Sequence, residues 1–408
     1  GMHDPFLKTW FLQNDYKPND KWSITSRVTF RETGSAKDSY IYVTVDGRRM
    51  IRTIIATYSN RRAAELVANF SPSDKHHLSA GIDYYRDDVE RGARAINFDF
   101  TTIYLVDGRD TVVNLNATFK PRLSDIRRNL GSFVQYHLST NLLGKTNFTG
   151  GLRFDHNNYF GDALSPRLVI VNSPAKSWTF KLQYGKAFRA PTNIEIYQTP
   201  GGNFKIKKER ITTYEGNIIF QGSSKWVAQL NLYRNQLRDA VSISNLSGLT
   251  INKNPININV NGAEFQINYM LTDNFSFYSN VTYQDPSFRN LTTDNTGKVP
   301  VVADWKANLG ATFDVPELFS LDLQGNYVGD RRGQPTNPIK TIPGYVLCNF
   351  VFHSHELFSK KITITLEVRN IFNHKWLDPG FRTADGSLYS TVLEQPGVNG
   401  LFKVGITL

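Results

Sequence analysis

Apolar and polar residues alternate with a period of two along most of this chain. In KITITLEVRN (residues 361–370), Ile362, Ile364, Leu366 and Val368 interleave with Thr363, Thr365, Glu367 and Arg369. Side chains on a strand point alternately to opposite faces, so such a segment is a strand with one apolar and one polar face. WSITSRVTF (22–30) places Trp22, Ile24, Val28 and Phe30 on one side. LSAGIDYY does the same with Leu78, Ala80, Ile82 and Tyr84. WTFKLQYGKA sets Trp178, Phe180, Leu182 and Tyr184 against Thr179, Lys181 and Gln183, and FSLDLQGNYVG sets Phe319, Leu321, Leu323 and Tyr327 against Ser320, Asp322, Gln324 and Asn326. About seventeen such segments of around ten residues can be marked, the length at which a tilted strand crosses a bilayer.

The connections also alternate. Short turns such as KPND, SPSD, NSPAKS, QGSS, LTDN and VPEL carry the Pro, Gly, Asn, Asp and Ser residues that make tight turns. Between the hairpins lie longer polar stretches at 86–98, 189–210, 285–301, 330–343 and 373–397. A sheet trimmed at one end and elaborate at the other has the asymmetry of outer-membrane barrels. Trp22, Trp178, Trp226, Trp305 and Trp376 fall near segment ends, where an interfacial girdle would put them.

Composition decides against other classes. No run of eighteen or so apolar residues exists, so no transmembrane helix is expected. The mean hydropathy of -0.37 agrees with strands that are only half apolar. A propeller would repeat near every forty residues, and no such period is found. Arg153, Lys181, Lys306, Glu367 and Arg369 sit mid-segment, where a dry sandwich core could not hold them unpaired. The expected fold is therefore all-β, a large up-and-down antiparallel transmembrane β-barrel. Its apolar stripes face lipid and its polar stripes a lumen.

The formal charge of +11 is spread along the chain without a basic cluster, so nucleic acid is not an expected partner. Anionic lipopolysaccharide or an anionic ligand is the more natural use. Cys348 alone allows no disulfide framework. Adjacent His76 and His77 point to opposite faces, and His353 and His355 share a face without a ligand-spacing motif, so no metal site is assigned. No phosphate-binding loop, dinucleotide fingerprint or nucleophile elbow appears, and no catalytic residue is named. Gly1–Met2 reads as a tag remnant rather than as a processed natural terminus.

FTGGLRFDHNNYFGDALSPRLVIV (148–171) followed by WTFKLQYGKAFRAPTNIEIY (178–197) resembles the barrel of a TonB-dependent outer-membrane receptor. The matching residues are Gly151, Arg153, Asp155, Ser165, Pro166, Arg167, Tyr184, Gly185, Phe188, Arg189, Ala190, Pro191, Thr192, Glu195 and Tyr197. GGNFKIKKER, NGAEFQINY and EVRNIFNHKW resemble later strands of that family, with Trp376 where Tyr is usual. The family barrel has about 22 strands around a plug. The expectation is thus that residues 1–408 form the C-terminal portion of such a barrel, about five strands short of the full count on its N-terminal side, with neither the plug domain nor its TonB-binding box in the chain.

What the resemblance implies is a receptor in the bacterial outer membrane for TonB-energised uptake of a scarce nutrient. A ferric siderophore is ranked first; haem, cobalamin and a glycan remain open. TonB would act through a plug domain outside this chain. Iron would arrive inside the ligand, so no cofactor is implied. A passive porin-like channel, or a barrel hydrolase, stays as the alternative. The expected ligand-binding residues are cations and aromatics of the long loops: Arg91, Arg94, Arg189, Tyr197, Phe288, Arg289, Arg331, Arg332, Arg382 and Tyr389. Guanidinium pairs well with carboxylate, catecholate and phosphate oxygens.

Overall fold

The structure is a computed structural model that describes residues 5–35, 40–45, 49–55, 58–90, 94–96, 113–114, 124–192, 195–196, 205–246, 249–335, 337–355, 362–380 and 390–406. One sheet of 18 strands dominates these residues, seventeen of them eight residues or longer. The long strands are Pro5–Asn19, Trp22–Ser35, Tyr58–Ser73, His76–Glu90, Ser124–Thr140, Lys145–Asn157, Gly161–Ala175, Trp178–Arg189, Glu209–Ser223, Trp226–Leu246, Leu249–Thr272, Phe275–Asn290, Trp305–Val315, Phe319–Val328, Tyr345–Ser354, Ile362–Arg369 and Asn399–Ile406. Each pairs antiparallel with its neighbour in this order, a meander whose count matches the period-two reading. Among the described residues, helix is confined to Glu195 and Ile196.

The register turns the alternation into two continuous surfaces. Directly opposed residues share a face. Phe180, Ile218, Leu230, Phe265, Val281, Ala307, Tyr327 and Val346 form one rung across eight strands, and all are apolar or aromatic. One residue along, on the other face, the rung reads Lys181, Asn217, Asn231, Glu264, Thr282 and Lys306. The expected strand 362–369 joins the same scheme: Ile362, Ile364 and Leu366 lie opposite Ile406, Val404 and Phe402. Exposure tells the convex face from the concave one. Leu182 is 60% and Leu309 57% exposed, whereas Asp155 is 2% and Asn217 7% exposed. A sheet that hides its polar side chains and displays its leucines curls with the apolar face outward, the reverse of a water-soluble sandwich.

One end is closed by tight turns with a shared chemistry. Asn19 Oδ1 accepts from Lys21 N at 3.0 Å, Ser73 Oγ from Lys75 N at 3.4 Å, Ser223 Oγ from Lys225 N at 3.0 Å and Thr272 Oγ1 from Asn274 N at 3.3 Å. These side chains mimic a backbone turn, which lets two residues reverse the strand. The 172–177 turn is tighter than the sequence suggests, since the strand runs on to Ala175.

Just inside these turns stand aromatic pairs on the apolar face. Trp22 and Phe70 rings are 4.5 Å apart, Trp178 and Phe220 4.4 Å, and Phe220 and Trp226 4.8 Å. Toward the opposite end Tyr184–Tyr214 at 5.2 Å and Tyr283–Trp305 at 4.8 Å mark a second level. Trp376 is different: it lies beyond its strand, its ring tilted against that of Tyr345 at 4.4 Å among the long connections.

The long-loop end departs from the sequence reading in two ways. Strands there run farther than about ten residues, because the backbone ladder continues after the apolar pattern has stopped. Trp226–Leu246 has 21 residues and Leu249–Thr272 has 24, and residues 86–90 and 285–290, expected as loop, are strand. A separate four-stranded sheet, Tyr40–Val45, Arg49–Ile55, Arg94–Ile96 and Val113–Asn114, is built from two of the connections.

The sheet has two lateral edges among the described residues. Pro5–Asn19 pairs only with Trp22–Ser35, and Asn399–Ile406 only with Ile362–Arg369. With seventeen long strands in a meander, the two edge strands run in the same direction, toward the short turns.

Candidate functional site

The polar face and the long-loop rim are the places where this wall can meet a solute. The polar face is organised around Arg153. Asp83, Gly131 and Asp155 share a rung on three adjacent strands. The Arg153 side chain, one rung position away in sequence, folds over Gly131 and reaches both carboxylates. Nη1 donates to Asp83 at 2.8 Å, Nε to Asp155 at 2.9 Å and Nη2 to Asp155 at 2.7 Å. Asn129 Nδ2 donates to the same Asp155 at 3.1 Å, and Asn157 Nδ2 to Asn129 at 3.2 Å. A Cβ at 131 would overlap the guanidinium and the Asp83 carboxylate, so glycine is the residue that leaves them room. Arg61 is held likewise, on Asp87 at 2.5 and 2.6 Å and over the Tyr85 ring at 4.4 Å. These groups are paired and hydrogen-bonded on a wall. They stiffen it and present polarity to the lumen. Farther round, Asn280, Asn308, Asn326 and Asn349 pass hydrogen bonds from strand to strand at 2.8, 2.7 and 3.3 Å.

At the rim Arg189 is clamped. Its Nη1 and Nη2 donate to Glu195 at 3.0 and 2.8 Å, and its Nε to Glu209 at 2.5 Å. Glu195 is in turn part of a capping box. Thr192 N donates to its carboxylate at 2.7 Å, while Glu195 N donates back to Thr192 Oγ1 at 3.2 Å. The spacing Thr192-x-x-Glu195 is the sequence signature of that motif. That signal stands in the sequence of the loop itself. Burial acts to raise the Glu195 carboxyl, but the bonds from Arg189 and Thr192 outweigh it and hold the group below the usual carboxylate range. A carboxyl lowered on folding stabilises the clamp above its unfolded pKa, and that contribution is lost as pH falls through the lowered value. Arg189→Ala is expected to speed amide exchange at Thr192 and Glu195 by about tenfold near neutral pH, and acidification should do the same to the unaltered protein. Unchanged protection in both experiments would show that the clamp does not order this loop.

The other expected ligand residues are not gathered into one cluster. Arg289 Nε donates to Asp294 at 2.9 Å on an exposed turn, and Phe288 lies half-buried opposite Gly297. Arg331 is 7% exposed: Nη1 donates to Asp378 at 2.7 Å, Nη2 to the Leu377 carbonyl at 2.5 Å, and Tyr345 lies beneath at 5.4 Å. Its guanidinium ties two long connections together and is turned away from solvent. Arg332, next to it, is exposed, and among the described residues no carboxylate pairs with it. The backbone of Arg94 lies in the small sheet. Arg91, Tyr197, Arg382 and Tyr389 lie outside the described residues. The partners Glu209 and Asp378 come from other segments, which no sequence period points to. Among the described residues no group of three or more His, Cys, Asp or Glu is arranged to hold a metal.

A meander whose outer face is apolar, whose inner face is polar and whose loops crowd one rim defines the wall of a large β-barrel. The family model described as "TonB dependent receptor-like, beta-barrel" matches residues 3–371, and the chain belongs to that family. Among curated relatives, the vitamin B12 transporter BtuB of Vibrio vulnificus is 20% identical over 325 residues, 79% of this chain and 46% of that protein. The ferrienterobactin receptor of Escherichia coli is 21% identical over 285 residues, 60% of this chain and 37% of that protein. The chain therefore spans half or less of the length of these relatives. Among solved structures, the copper transporter OprC superposes with a TM-score of 0.72 at 16% identity, covering 98% of this chain and 65% of that one. The siderophore receptor PirA from Acinetobacter baumannii does so with 0.65 at 16%, covering 98% and 62%. These relatives are receptors and transporters.

Proposed function

We propose that this chain is the C-terminal portion of the barrel wall of an outer-membrane receptor that takes up a scarce nutrient, a ferric siderophore before all others, with energy delivered by TonB through a plug outside this chain. The observation that carries the reading is the split of one sheet into an unbroken apolar exterior and a hydrogen-bonded polar interior, in a chain of this family. Such a wall needs lipid outside and a polar filling inside. Siderophore receptors among the relatives and structural neighbours support the choice of cargo. The vitamin B12 transporters keep cobalamin as the competing cargo.

In this mechanism the rim catches the ligand, and the polar wall lines the path it follows once the plug is pulled. No bond of the ligand is made or broken. Arg332 is the rim cation best placed to meet an anionic ligand, while Arg189 and Arg331 hold the loops that surround it. Growth of a receptor-deleted strain carrying the full-length gene, on a panel of ferric siderophores, haem and cobalamin, tests the reading. Rescue is expected on an anionic ferric siderophore and only with TonB present. Arg332→Ala should raise the half-saturating concentration about tenfold, the weight of one charge-assisted hydrogen bond. Rescue by an uncharged ligand alone, or uptake indifferent to TonB, would overturn it.

A further inference from the structure

His77 and His137 stand directly opposite each other on adjacent strands, and Thr149 continues their rung onto the next. The rung lies on the polar face. It is six residues nearer the short turns than the Arg153 network, counted from Asp83 to His77, Gly131 to His137 and Asp155 to Thr149. The two imidazole centroids are 5.8 Å apart, and the ring planes meet at 35°. His77 is exposed and His137 half-buried, so the pair is open to the lumen. Among the described residues no carboxylate pairs with either ring. The histidines that have one are His156, on Asp162, and His355, on Asp314.

Each ring is held from the side away from its partner. Ser71 Oγ and His77 Nδ1 share a hydrogen bond of 2.8 Å, and Thr149 Oγ1 and His137 Nδ1 share one of 2.9 Å. Ser71 belongs to the strand before His77 and Thr149 to the strand after His137, so both Nδ1 atoms are anchored outside the pair. A metal-bound histidine is usually fixed in this way: one ring nitrogen donates to a neighbouring oxygen and the other binds the ion. Nε2 of each ring is then the ligand atom. Two imidazoles on one ion at about 2.0–2.1 Å have centroids about 5 Å apart at a tetrahedral angle, so a small side-chain rotation closes the observed gap. Ser139 Oγ lies 3.2 Å from His137 Nε2 and donates to Asn147 at 2.7 Å. It is the contact an ion would displace, and the bond to Asn147 keeps the hydroxyl satisfied. The other close histidine pair lacks this arrangement. The His353 and His355 rings stand edge-on at 84°, and His355 Nε2 is taken by Asp314 at 3.0 Å.

We propose that His77 and His137 bind one divalent transition-metal ion at the short-turn end of the lumen, through Nε2 of each ring, with water completing the coordination. Uncharged nitrogen ligands favour Cu(II), Ni(II) and Zn(II), with Cu(II) the tightest, over Mg(II) and Ca(II), which take oxygen. The ion would tie strand His76–Glu90 to strand Ser124–Thr140 through their side chains, just inside the short turns. The site is separate from the arginines of the rim and does not depend on which nutrient the receptor carries.

Untagged full-length receptor in detergent, titrated with Cu(II) and followed by calorimetry and electron paramagnetic resonance, tests it. The parent is expected to bind one more Cu(II) than His77→Ala, and that ion should show two equatorial imidazole nitrogens. His137→Ala should lose the same ion. The double variant should lose no more than either single one, because one imidazole alone no longer chelates. Thr149→Val, which removes the partner of His137 Nδ1, should weaken binding about tenfold. Excess Ni(II) or Zn(II) should compete, Mg(II) should not, and His353→Ala should leave the ion in place. Should either alanine variant fail to fold, His77→Gln or His137→Gln removes the ligand nitrogen and keeps a polar side chain. Equal copper binding in the parent and in whichever of these variants fold, a spectrum with a single imidazole nitrogen, or loss of the ion on His353→Ala would each overturn the site.

Discussion

Arg153→Ala is expected to lower the unfolding free energy of the folded wall by about 3 kcal/mol, because one guanidinium pairs with two carboxylates and its loss leaves both without a cation. Asp155 is 2% exposed and cannot recover the lost partner from water. Gly131→Val should cost a similar amount by another route. Its side chain would occupy the space in which the Arg153 fork meets Asp83. Because both substitutions act on the same fork, the double variant should fall well short of the sum. The urea midpoint of refolded protein in detergent, with the fraction that stays compact on unheated gels, measures all three. Full additivity, or an Arg153→Ala variant as stable as the parent, would mean that the network contributes little.

Leu182→Arg is the second large effect. Leu182 stands on the apolar face between the aromatic levels of Trp178 and Tyr184, opposite Ile170 and Gly216. An arginine facing lipid near the middle of a barrel costs about 2–4 kcal/mol. Gln183→Arg, one residue on, faces the polar side and should cost less than about 0.5 kcal/mol. The comparison is made in vesicles by the fraction of protein inserted at a fixed urea concentration. Equal losses at 182 and 183 would count against lipid on one face and a lumen on the other.

The strands were legible because their signal is local. Alternation in KITITLEVRN fixes which side chains share a face, and register then carries that choice from strand to strand. Tight turns were legible for the same reason, since Asn19, Ser73 and Ser223 act on a backbone N–H two residues away. The rim was not. Arg331 and Arg332 look alike in sequence, yet one is buried on Asp378 and the other is exposed, because the partner lies 47 residues on. Arg153 and Asp155 could be paired from spacing alone. Asp83, 70 residues away, could not, since it depends on which strands are neighbours. The extensions of strands 226–246 and 249–272 escaped notice because the polar composition above the apolar band removes the alternation while the backbone pairing goes on.

The rungs also impose a rule of parity on sequence change. Within a strand, one inserted residue turns every later side chain to the opposite face until the next turn. In Trp178–Arg189 it would send Lys181 or Gln183 to the side of Phe180 and Leu182. Two inserted residues restore the faces and shift only the height. Length variation in a wall of this kind is therefore tolerated in twos inside the strands and freely in the long connections. The accessory sheet of Tyr40–Val45, Arg49–Ile55, Arg94–Ile96 and Val113–Asn114 occupies such connections, where growth leaves the faces of the wall undisturbed.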